Sequence, residues 1–311
     1  MLYGMRFRVV CNVLVTVGFA AMAAVDGWAQ SAQPSRSPRG TLFIVGGGTQ
    51  PMALVEDFVR RAGGPGKARI AVFAEASQDG QRSGESKAAQ LRGLGATAQS
   101  IWVDRGQADT DSVAALLNGV TGVWFGGGDQ NRLTAVLRGT RTERAIRARF
   151  EQGAVVGGTS AGAAVLSALM ITGDEIGEPE VEEPEVEEPG NSREAWTRIR
   201  RGSVALDSGF AFLRDAVVDQ HFIRRRRHNR LISVVLSQPP YLGVGIDEGT
   251  ALIVPPKGPW RVAGASSVLV FDARKAVRPA EREAFGATGL VMHVLPDGAT
   301  FDPETGRARI R

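Results

Sequence analysis

Cysteine is nearly absent: the 311 residues hold one, Cys11, beside three histidines, His221, His228 and His293. So few soft ligands exclude a Cys-rich zinc module, and a lone thiol excludes a disulfide scaffold. Aromatic residues are 6% and are not interleaved with basic ones, which argues against a nucleic-acid stacking surface. Neither glycine cluster, Gly46-Gly47-Gly48 or Gly126-Gly127-Gly128, completes a G-x-G-x-x-G fingerprint, so dinucleotide binding has little support. No solenoid-length repeat is visible. What remains is an ordinary globular composition, 43% hydrophobic and 23% charged, with 39 glycines and a formal charge of +4.

The N-terminus has the order of a secretory signal peptide: Arg6 and Arg8, an apolar stretch over 9–25, and small residues at Gly27 and Ala29. The stretch is interrupted by Asn12 and falls short of the roughly 20 apolar residues of a membrane anchor. Residues 1–29 are therefore expected to be removed on export to the periplasm or medium, taking Cys11 with them. That leaves a thiol-free chain without a membrane attachment. A Pro/Ser linker over 30–39 leads into a single domain over 40–311.

Within that domain, apolar runs of strand length alternate with helical patterns. Runs at 41–48, 69–76, 100–104, 121–128, 154–158, 215–222 and 241–248 read as strands, with helices from about Pro51, over 85–95 and over 131–139. Continuous apolar strands separated by helices imply a mostly parallel α/β sheet covered on both faces, with functional loops at the strands' carboxyl ends. The last apolar runs read as an antiparallel C-terminal extension. One segment, 174–190, departs from this pattern with nine acids, no basic residue and a short Glu-Pro-Glu-Val-Glu repeat. Its prolines forbid a helix and its charge forbids a core, so it is an acidic surface insertion, without EF-hand spacing. The cleaved chain would carry 35 basic against 32 acidic residues, and 35 against 23 once that insertion is set aside.

The chemistry gathers at strand ends. Gly158-Thr159-Ser160-Ala161-Gly162 lies between an apolar run and a helical pattern, the context of a nucleophile elbow. Ser160 is then the nucleophile, and the Ala161 N–H would face a developing oxyanion. Gly128, in the second glycine cluster, would supply the other N–H, and Gln130 a neutral donor and acceptor. Of the histidines, His293 lies in an alternating strand and His228 in an Arg-rich helix start. His221, at the end of a strand, is the best base. Asp247 or Glu248 could orient it, and spacing leaves that choice open. Arg224 to Arg227, read as the first turn of a helix, are unfavourable there by about 0.3–1 kcal/mol each, so they are expected to hold anions.

Four motifs in order, FGGGDQ (125–130), GGTSAGA (157–163), DQHFIRRRRHNRL (219–231) and GIDEGTAL (245–252), resemble cyanophycinases and their relatives around peptidase E, the aspartyl dipeptidase. The resemblance spans about residues 40–275. It implies a class I glutamine amidotransferase-like (flavodoxin-like) α/β fold and a metal-free, cofactor-free serine peptidase. It also implies a triad of Ser160, His221 and Glu248, with Gln130, Asp219, Gln220, Arg225, Arg227 and Arg230 around the substrate. The implied substrate is cyanophycin, poly-aspartate bearing arginine through isopeptide bonds, cut to β-aspartyl-arginine. The alternatives are a peptidase-E-like aspartyl dipeptidase and a catalytically silent relative that binds carboxylate-rich polymers. A homodimer is compatible with the sequence but not specified by it. The acidic insertion and the signal peptide depart from the family pattern.

Overall fold

The computed structural model describes residues 39–175, 199–278 and 286–310. The expected leader, the linker up to residue 38 and residues 176–190 of the acidic insertion lie outside them.

The first half of the chain alternates strand and helix: β1 (Thr41–Val45), α1 (Met52–Arg61), β2 (Arg69–Phe73), α2 (Gly80–Gly93) and β3 (Thr97–Ile101). Two short helices, α3 (Arg105–Ala108) and α4 (Asp111–Ala115), precede β4 (Gly122–Phe125). Then come α5 (Gln130–Leu137), α6 (Arg141–Glu151), β5 (Val155–Thr159) and α7 (Ala161–Ala164). Side chains set the helix starts: Asp79, Thr140 and both partners of an Asp104/Gln107 capping box satisfy first-turn N–H groups.

After α7 the chain forms a β6 (Leu169–Glu175) and β7 (Val204–Ser208) ribbon, then β8 (Ala216–Gln220), α8 (His228–Ser237) and β9 (Leu242–Ile246). It closes with β10 (Thr250–Val254), β11 (Trp260–Gly264), β12 (Val268–Asp272), β13 (Val291–Leu295), β14 (Thr300–Asp302) and β15 (Arg307–Arg309).

The main sheet runs β15-β14-β11-β10-β1-β5-β4-β2-β3, and its β1-β5-β4-β2-β3 portion is wholly parallel. Beyond β1 the strands are antiparallel. This is the flavodoxin-like α/β class expected, with its antiparallel extension. Alternate residues of each parallel strand enter two cores: Phe43, Val45, Ile70 and Trp124 pack on the α1/α2 face, while Leu42, Ile44, Phe73 and Phe125 pack on the other. Along β1, β2, β4 and β5 both faces are dry, which is why those strands lack a polar side, whereas the edge strand β3 exposes Thr97 and Gln99.

Three expectations change. The 215–222 and 241–248 runs do not join the main sheet. As β8 and β9 they pair in parallel in a second sheet, β13-β12-β9-β8, whose inner residues Val218, Val244 and Val270 share the core of Leu42 and Phe125. The apolar run after Ser160 is helical only to Ala164. Phe210 and Leu213 donate their N–H groups to the Val165 and Leu166 carbonyls, at 2.6 and 2.9 Å, so those acceptors are lost to a continuing helix. Leu169 and Met170 pass into β6 instead. The arginines do not open a helix either: Arg224–Arg226 lie in a turn, and α8 begins at His228 with Arg227 as its N-cap. That arrangement avoids placing the whole cationic run in a helix's first turn.

Candidate active site

In the parallel portion β5 lies between β1 and β4. The strand ends therefore bring three loops together: Gly46–Gly48 after β1, Gly126–Gly128 after β4, and Ser160 directly after β5. The carboxyl edge where strand order reverses is where an α/β sheet opens a crevice.

Ser160 has φ 55 and ψ −117, a conformation seldom adopted by a residue with a side chain. Its neighbours allow it. Gly158 and Gly162 touch backbone to backbone, and a Cβ at either would overlap a carbonyl. Gly127 passes beside the serine, its Cβ position 3.4 Å from Ser160 Cβ, while Gly128, at φ 135, packs against Ala76 and Ser77. Ala161 begins α7, so its N–H has no intrahelical acceptor.

His221 and Glu248 arrive from the second sheet, just beyond β8 and β9. The His221 N–H donates to Gly46 O at 2.7 Å, which ties the second sheet's edge to the β1 turn. With Nδ1–H donating to Glu248 Oε1 at 2.6 Å, Nε2 is left to accept from Ser160 Oγ at 2.8 Å. Gly47 and Gly48 form the floor under this pair: a Cβ at Gly47 would overlap the imidazole, and one at Gly48 would lie 2.8 Å from Glu248 Oε2. Burial is the largest influence on the His221 pKa and pushes it below the ordinary value. The Glu248 hydrogen bond opposes that shift, and the positive field of Arg225 and then Arg227 adds to it. The imidazole is therefore neutral at pH 7, the form in which it accepts a proton.

The neighbouring acid has another task. Asp247 Oδ1 accepts the N–H groups of Ile223 and Arg224 at 3.1 and 3.0 Å, and its Oδ2 accepts from Ser266 Oγ at 2.8 Å. It pins the arginine turn rather than the imidazole. His228 packs against Phe222 and His293 against Phe301, both as ring contacts.

Of the remaining sequence-predicted residues, Gln220 reaches the serine. Ser160 Oγ also lies 3.4 Å from Gln220 Oε1, which accepts from Arg227 Nη1 at 3.0 Å. Asp219 and Arg230 are 1% and 2% exposed and form a two-point pair, Nε to Oδ2 at 2.9 Å and Nη2 to Oδ1 at 2.5 Å. The geometry links β8 to α8. Half-buried Arg225 donates its N–H to His221 O at 2.9 Å. Buried Gln130 donates from Nε2 to the Ile171 and Thr172 carbonyls, at 2.9 and 2.5 Å, fastening β6 to α5. Sequence reasoning missed the tasks of Asp247 and of Gly47 and Gly48. Only the glycine cluster at the end of the first strand hinted at the latter. Among the described residues no cluster of His, Cys, Asp and Glu suits a metal ion, and no helix is long and apolar enough to cross a membrane.

A serine, a neutral imidazole and a carboxylate linked in that order at the carboxyl edge of an α/β sheet is the arrangement of a serine hydrolase. Residues 42–258 match Peptidase family S51, and the chain belongs to that family. Among curated proteins it is 32% identical over 295 residues to a cyanophycinase of Synechococcus elongatus, covering 91% of this chain and 85% of that one. It is 31% identical over 280 residues to a cyanophycinase of Trichormus variabilis, with 86% and 87% covered. Among solved structures, a peptidase from an acI-B1 Actinobacterium superposes with a TM-score of 0.56 at 20% identity, over 82% of this chain and 98% of that one. That likeness concerns the fold.

Proposed function

We propose that the protein is an exported serine-type exopeptidase that hydrolyses cyanophycin to β-aspartyl-arginine dipeptides through an acyl-enzyme. The observation that carries this reading is the Glu248–His221–Ser160 hydrogen-bond chain at 2.6 and 2.8 Å, with Ser160 held at φ 55. The similarity to cyanophycinases over most of both chains supports the substrate.

In this reading His221 Nε2 takes the Ser160 proton as Oγ attacks the scissile carbonyl carbon, and Glu248 holds the imidazolium that forms. The oxyanion is received by the N–H groups of Ala161 and Gly128. Collapse passes the His221 proton to the departing amine and leaves an acyl-Ser160 ester. Water, deprotonated by the same imidazole, then releases the acid. Gln130, Asp219, Gln220, Arg225, Arg227 and Arg230 surround the substrate in this proposal. Asp219 and Arg230 shape it through their mutual pair, and the Arg225–Arg227 field favours the free carboxylates of the arginyl groups.

Ser160→Ala in the mature protein should abolish dipeptide release from purified cyanophycin while the circular dichroism spectrum stays unchanged. Release at the wild-type rate would overturn the mechanism. Turnover of Asp-X dipeptides but not of the polymer would instead identify an aspartyl dipeptidase.

A further inference from the structure

A second recess opens on the same edge of the main sheet. It is a groove of about 520 Å³ between the start of α2 and the end of β3, lined by Asp79, Gln81, Arg82, Glu85, Ser100 and Trp102. Gly80 and Gly84, about one helical turn apart, let Trp102 and Ser100 lie close against α2 beneath it. A Cβ at Gly80 would overlap the Trp102 indole, and one at Gly84 would overlap Ser100 Oγ. Trp102 is 55% exposed, although an indole is the side chain with most to gain from burial. Ser100 Oγ lies at the bottom, buried and without a hydrogen-bond partner among the described residues.

The groove carries both charge signs around an aromatic face. Asp79 and Glu85 are its carboxylates and Arg82 its guanidinium. Their present pairs are exposed ones, Arg82 to Asp79 at 3.9 Å and Glu85 to Arg92, which are weak and readily exchanged. An indole face with flanking carboxylates binds a guanidinium, and an adjacent arginine binds a carboxylate. The ligand chemistry defined is therefore an arginyl group with a free α-carboxylate.

The groove is also connected to the serine. Gly127 touches Ser160, Gly128 packs on Ala76 and Ser77, Asp79 N–H donates to Ser77 Oγ at 3.2 Å, and Gly80 abuts Trp102. From β5 the path crosses β4 and β2 to β3, three strand spacings or about 14 Å. An extended backbone covers that distance in about four residues.

We infer that this groove is a remote subsite that holds one arginyl side chain of the polymer while another unit, about four residues along, lies at Ser160. The inference rests on the cyanophycin reading given above. The subsite retains a long chain between successive cuts and has no influence on a substrate too short to reach it.

The test compares the mature wild-type protein with Trp102→Ala, Trp102→Phe and Asp79→Asn, the last of which keeps an α2 cap. Each is assayed on cyanophycin and on the two-unit fragment (β-aspartyl-arginine)2. Trp102→Ala should raise the half-saturating polymer concentration about threefold to thirtyfold, the range of a cation–π contact, at unchanged maximal rate. Trp102→Phe should recover part of the loss, Asp79→Asn should show a smaller one, and turnover of the fragment should be the same for all four proteins. Unchanged polymer saturation in Trp102→Ala, or an equal loss on polymer and fragment, would overturn the subsite while leaving the peptidase reading intact. Failure of the wild type to release dipeptide from the polymer would overturn that reading, and the subsite with it.

Discussion

Ser160 is held in a conformation that costs a residue with a Cβ about 1–3 kcal/mol, and the surrounding glycines fix it there. The strain aims Oγ at His221 and is not needed for folding. Replacing Ser160 with glycine should therefore yield a more stable protein than replacing it with alanine, by about 1 kcal/mol after allowing for glycine's greater freedom in the unfolded chain. Chemical denaturation of the two inactive variants checks this, and equal midpoints would mean that the surrounding structure relaxes the strain. The same scale explains why sequence spacing could not choose between Asp247 and Glu248. The chain leaves β9 at Ile246, and beyond a strand's last residue alternation no longer dictates direction. Asp247 turns to the Ile223 and Arg224 amides, and Glu248 to the imidazole.

At the level of elements, the β1 turn positions groups from another sheet. Gly47 at φ 117 leaves room for the imidazole, and its carbonyl accepts the Gly249 N–H at 3.0 Å. Gly47→Ala should displace His221 and lower kcat by about 100-fold with little change in KM, because it misplaces only the group that the proposed mechanism uses as proton acceptor. Steady-state kinetics would show it; an unaltered kcat would mean that the turn does not set the imidazole position. Most of the parallel sheet was legible because β1, β2, β4 and β5 are apolar on both faces, and glycines close β1 and β4 and lie within β5. Two elements were not. The run Ala163–Met170 is apolar enough for helix or strand, and distant amides from Phe210 and Leu213 decide the outcome. The β8 and β9 runs look like any parallel strand, since pairing partners in a second sheet leave no local mark. Ser160 and His221 could be found because each ends a strand, whereas Asp247's anchoring role depends on a turn whose shape spacing does not encode.

For the whole molecule, one buried acid links stability to pH. Glu75 follows β2 and is 6% exposed; its Oε1 accepts the Val103 N–H at 3.3 Å, and Oε2 has no partner among the described residues. Desolvation raises its pKa from 4.5 to about 8. The folded protein thus keeps a proton that the unfolded chain releases from pH about 4.5 upward. Its contribution is fully present below that pH and is lost as pH rises to about 8, on the order of a few kcal/mol. Glu75→Gln should flatten the denaturation midpoint across that window; parallel wild-type and variant curves would show that Glu75 is ionised throughout.

The hydrogen-bond chain from Glu248 to Ser160 crosses from one sheet to another, and the polypeptide itself crosses between the same sheets at Asp247–Gly249, from β9 into β10. Neither ladder alone contains a working set of groups. A slide of the two sheets by an ångström would leave every strand pair intact, together with nearly all the buried area, yet separate Oγ from Nε2. Under the proposed mechanism the reaction is thus a gauge of register between two layers, more sensitive to their alignment than any measure of folded content.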